Sequence, residues 1–80
     1  SVYPIPSNST VNVAFNAETP GKADILVYSN MGSVAKEVSL TTKPGMNKAV
    51  IDVKGLTPGI YLIRIIMGSS SSTARLVVAK

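Results

Sequence analysis

"LTPGIYLIRI", Leu56 to Ile65, sets Pro58 and Gly59 directly ahead of an apolar run that a single arginine, Arg64, interrupts. Pro58 fixes φ for the first central residue of a turn and Gly59 accepts positive φ at the second. The pair therefore predicts a type II turn that delivers the chain abruptly into a strand. In that strand Tyr61, Ile63 and Ile65 point inward, while Ile60, Leu62, Arg64 and Ile66 point outward. Apolar residues on both faces place it at the centre of a sheet.

The flanking sequence repeats the pattern. "TVNVAF" alternates, with Val11, Val13 and Phe15 on one side, and "KADILVYS" sets Ala23, Ile25 and Val27 against Asp24, Leu26 and Tyr28. "SVAKEVSL" is polar enough for an edge strand, and in "MNKAVIDV" the inward residues are Ala49, Ile51 and Val53. After "IYLIRIIM" the serine run "GSSSS" reads as a loop, and "TARLVVAK" as the last strand. Strand-length runs bounded by turn clusters such as "ETPG", "TTKPG" and "KGLTPG" recur at intervals of roughly ten residues. Together these predict an all-β chain: an Ig-like antiparallel β-sandwich of six or seven strands, with Val2 and Tyr3 as a short first strand. Tyr61, at the start of a late strand just past a turn, fits the tyrosine corner of such sandwiches, whose hydroxyl bonds backbone a few residues upstream.

Composition excludes more than it proposes. The 80 residues hold neither cysteine nor histidine, so no disulfide, thiolate ligand or imidazole base is available. The net charge of +4 comes from eight cations spread between Lys22 and Lys80, with one Phe and three Tyr to accompany them. That is a solvated face rather than a nucleic-acid stripe. The carboxylates Glu18, Asp24, Glu37 and Asp52 are scattered, and no calcium-loop spacing occurs. A Ser–Lys nucleophile pair drawn from Ser69 to Ser72 would sit on a loop poorly suited to pre-organised chemistry. No catalytic, cofactor-binding or metal-binding residues are assigned, and the chain is expected not to be an enzyme. No apolar stretch approaches the ~20 residues of a spanning helix. Beginning on Ser1 rather than Met, the chain is read as a piece of a longer protein.

The order of "VYPIP" at 2–6, "ILVYSNMGSVAKEV" at 25–38, "GMNKAVIDVKGLTPGIYLIRI" at 45–65 and "ARLVVAK" at 74–80 resembles a known family. It is the type IX secretion system C-terminal sorting domain (Por secretion system C-terminal sorting domain) family of Bacteroidetes. The resemblance spans nearly the whole chain, and its structural motif falls on Gly32, Gly45, Asn47, Leu56, Pro58, Gly59 and Tyr61. Two departures stand out. Tyr3-Pro4-Ile5-Pro6 replaces the family's Tyr-Pro-Asn-Pro, and Ser29 and Ser33 flank Gly32 where an Asp and a basic residue are usual. The second predicts a divergent hairpin in which Asn30 supplies the Asx-type bond.

The resemblance implies one domain over residues 1–80, with a linker at 1–8 and the sandwich at 9–80. It implies a secretion signal that directs an N-terminal cargo domain through the periplasm and across the outer membrane to the cell surface or medium. The partners implied are the type IX translocon and a sortase-like cysteine peptidase that removes the domain and attaches the cargo to surface lipopolysaccharide. From the residues themselves, "TARLVVAK" as an edge strand offers backbone groups for β-augmentation. Arg75, Leu76, Val77, Val78 and Lys80 are the expected recognition residues, and a dimer through an edge strand is a further expectation. Pro4 and Pro6 predict a stiff extended junction with the cargo. The alternative is an Ig- or fibronectin-III-like accessory module that binds carbohydrate or protein, or spaces domains. The two readings differ in that a sorting domain ends its parent protein at Lys80.

Overall fold

The computed structural model describes residues 2–3 and 9–79. The expectations for Pro4 to Pro6 and for Lys80 lie outside them. Seven strands follow in order: β1 (Val2–Tyr3), β2 (Thr10–Ala17), β3 (Gly21–Tyr28), β4 (Val34–Thr42), β5 (Gly45–Asp52), β6 (Gly59–Met67) and β7 (Ser70–Val78). All pair antiparallel, in a three-stranded sheet ordered β1-β2-β5 and a four-stranded sheet ordered β4-β3-β6-β7. The chain crosses between sheets after β2, β4 and β5, giving the Ig-like sandwich that the strand spacing predicts.

Alternation drives this arrangement. Val11 and Val13 of β2, Ala23, Ile25 and Val27 of β3, and Ile63 of β6 are all 0% exposed, and Ile51 of β5 is 1% exposed. Each faces the other sheet, so period-2 hydrophobicity becomes one continuous core. β6 is central as expected, between β3 and β7, and β4 is an edge. β1 pairs Val2 with Val13 and Tyr3 with Asn12, so the sheet reaches into the stretch assigned to the linker.

Three local expectations are corrected. The serine run is not a loop: Met67 pairs with Ser70 across the two-residue turn Gly68-Ser69, and Ser70, Ser71 and Ser72 continue the ladder. Gly68 at φ 60 is followed by Ser69 at negative φ, the sequence of signs of a type II′ hairpin turn, and ladder hydrogen bonds need only backbone. Gly59 does not hold the second position of a type II turn. Its φ of 155 is positive, as expected, but far from the roughly +80° of that turn, and it pairs with Val78. The hydrogen-bonded turn lies earlier, where the Leu56 N–H donates to the Val53 carbonyl at 3.0 Å. Finally, Ser29 rather than Asn30 organises the β3–β4 hairpin: its Oγ accepts from the N–H groups of Met31 and Ser33, both at 3.3 Å.

Candidate functional site

β7 closes the four-stranded sheet. Among the described residues it pairs with β6 alone, leaving its other side as an edge. Which backbone groups face that edge follows from the hairpin. The tight turn makes Met67 and Ser70 a hydrogen-bonded pair, and alternation along the register makes Ser72–Ile65, Ala74–Ile63, Leu76–Tyr61 and Val78–Gly59 the others. The N–H and C=O groups of Ser71, Thr73, Arg75 and Val77 therefore point away from β6.

The expected recognition residues divide accordingly. Leu76 at 0% and Val78 at 2% exposure are core residues, so they anchor the strand and present no side chain to a partner. This corrects the expectation that they supply specificity. Arg75 is exposed and Val77 half-buried, both on the outer face. Lys80 lies outside the described residues.

The motif residues shape the corners that hold this strand in place. The Tyr61 hydroxyl donates to the Thr57 carbonyl at 2.6 Å, as a tyrosine corner requires. With that proton committed, the Thr57 hydroxyl donates in turn to Tyr61 Oη at 3.1 Å. Asn47 is 5% exposed at the β4–β5 corner: its Oδ1 accepts from the Lys43 N–H at 3.1 Å, and its Nδ2 donates to the carbonyls of Lys43 at 2.9 Å and Gly45 at 3.1 Å. Gly45, at φ 99, makes the bend that brings those carbonyls to one amide. Leu56 is 9% exposed and Pro58 stands exposed between it and β6, while Gly32 at φ 85 closes the β3–β4 hairpin.

The other edges are guarded. β1 is two residues long, β4 carries a register shift opposite Val27 and Tyr28 together with Lys36 and Glu37, and β5 carries Lys48 and Asp52. β7 runs nine residues in unbroken register with hydroxyls and one cation. Among the described residues it is the edge least protected by charge, bulge and brevity, with β1 of the other sheet lying near it.

Sequence reasoning missed the outer face of this sheet. Ile60 is 54% and Leu62 45% exposed, with Tyr28 half-buried beside Leu62 and Arg64 exposed on the same strand. The signal was the apolar outer half of "IYLIRIIM", which marks a central strand and here also an uncovered one. Phe15 and Tyr61 are buried, and the two remaining tyrosines, Tyr3 and Tyr28, sit on different sheets, so no flat aromatic platform for a sugar forms. Among the described residues no group of three or more metal-ligating side chains gathers.

A family described as "Secretion system C-terminal sorting domain" matches residues 1–79 of the chain. No curated protein and no solved structure matches it.

Proposed function

The chain belongs to the secretion system C-terminal sorting domain family, a sorting signal of type IX secretion, and from that premise we propose that the free edge of β7 is what the machinery reads. A domain of this family serves delivery of a cargo protein out of the cell, in association with the secretion machinery, and is not of an enzyme family. The observation that carries the proposal is the run of outward backbone groups at Ser71, Thr73, Arg75 and Val77 on a long edge with which, among the described residues, no strand pairs. A translocon strand pairs there by β-augmentation, with backbone bonds giving affinity and the outer-face side chains giving selectivity. The cargo then passes from periplasm to cell surface or medium, and a sortase-like cysteine peptidase removes the domain.

Fusing the domain to an exported fluorescent reporter tests the reading. The reporter should reach the surface in cells with the secretion system and remain periplasmic in cells without it; equal distribution in both would refute a sorting role. Deleting 76–80 is a blunt probe, because Leu76 and Val78 belong to the core and their loss unfolds the strand. Thr73→Pro is sharper. Its N–H points to the open edge, so proline removes a docking donor without touching the β6 ladder.

A further inference from the structure

Two arginines lie together beside the open edge. Arg75 is paired across to Leu62, and Arg64 is two residues along from Leu62 on β6, so the two arginines are diagonal neighbours on one face, at backbone positions about 7–8 Å apart. Among the described residues neither forms an ion pair with a carboxylate. The nearest acid, Asp24, is diagonal to Arg64 but is taken up by the Ser39 hydroxyl at 2.6 Å and Lys22 at 3.9 Å. Glu37 lies two strands from Arg64, beyond Leu26. The β6–β7 half of the face is thus positive, and like charges at this spacing oppose each other until a counter-charge arrives.

A groove of about 560 Å³ lies beside them, lined by Thr73 of β7, Arg64 and Leu62 of β6, and Tyr28 and Gly32 at the β3 end. A strand added to β7 puts every second side chain on this same face, one of them directly across from Arg75. A carboxylate there meets Arg75, and a long acidic side chain beside it lies along the groove toward Arg64. One row further, Val77 and Ile60 offer an apolar neighbour instead.

We propose that the strand added to β7 is acidic, with a carboxylate opposite Arg75 and within reach of Arg64, and an apolar residue beside Val77. This rests on the reading of β7 as the recognised edge. Charge-assisted bonds to guanidinium account for the selectivity, and a basic or neutral strand is rejected by the unpaired arginine pair.

The reporter fusion in secretion-competent cells decides it, with the melting of each purified domain checked alongside. Arg64→Glu/Arg75→Glu should lower surface display by roughly tenfold or more, as losing close charge pairs at an interface does. Arg64→Gln/Arg75→Gln, which removes the charges but keeps polar side chains, should also fall, and Arg64→Lys/Arg75→Lys should keep most display. Lys48→Glu on the opposite sheet should be silent. Wild-type display of the double glutamate variant would overturn the proposal, as would an equal loss with Lys48→Glu, which would mean that general basicity is being read. A wild-type domain that sediments as a dimer, and as a monomer once Arg75 is reversed, would assign the face to a second copy and overturn it too. If Thr73→Pro is displayed normally, the edge reading itself fails; if Thr73→Pro is blocked while the glutamate variant passes, only the acidic strand fails.

Discussion

Tyr61 ties the chain back on itself at the moment it enters β6, and the cost of losing that tie is calculable. Its hydroxyl serves the Thr57 carbonyl and accepts from the Thr57 side chain. Tyr61→Phe keeps the ring in the core and should cost about 1 kcal/mol, seen as a fall in Tm of roughly 4–8 °C in calorimetry. Asn47→Ala should cost more, about 2 kcal/mol, because a buried amide that satisfies both Lys43 backbone groups and the Gly45 carbonyl is replaced by nothing. A loss for Asn47→Ala smaller than for Tyr61→Phe would contradict this ranking. The tyrosine was legible in the sequence because its partner is four residues away and the turn announces it. Asn47 was legible only as a position: its work depends on how the Lys43–Gly45 corner folds. The β3–β4 hairpin misled for the same reason, since Ser29 and Asn30 are equally able acceptors and only the backbone path chooses between them.

β7 is an element of two halves. Ser70 to Thr73 is exposed, while Leu76 and Val78 are locked beneath the sheet. Leu76→Ala should therefore destabilise by about 3 kcal/mol, and Val77→Thr, on the outer face, by well under about 1 kcal/mol, both read from urea midpoints. Equal losses would mean that the strand is not docked as described. This split explains where the sequence was readable. The alternation of Leu76 and Val78 marks a strand, but serine has no such signature, and Gly68 with four serines after it reads as loop until β6 supplies a ladder to join. Strand propensity is weak beside pairing with an available neighbour. The turn ahead of β6 failed similarly: Pro58-Gly59 suits a type II turn locally, but pairing of Gly59 with Val78 draws its positive φ out to 155, past the value that turn needs.

For the whole molecule, period-2 hydrophobicity and regularly spaced turns were enough for an all-β sandwich, because each strand announces its own inner face. Which strands pair is a non-local outcome, and so is which edge stays open. That the outer side of the β6 sheet is bare, with Ile60, Leu62 and Arg64 facing solvent, could not be read from strands that look buried on both faces. The functional account rests on that global result: guarded edges on β4 and β5 and, among the described residues, an unpaired one on β7. The most direct test is the surface-to-periplasm ratio of the reporter carrying Thr73→Pro, with the melting curve of the purified variant beside it. A domain that melts near wild type and leaves its cargo in the periplasm is the predicted result. A domain that melts near wild type and still reaches the surface would contradict the account.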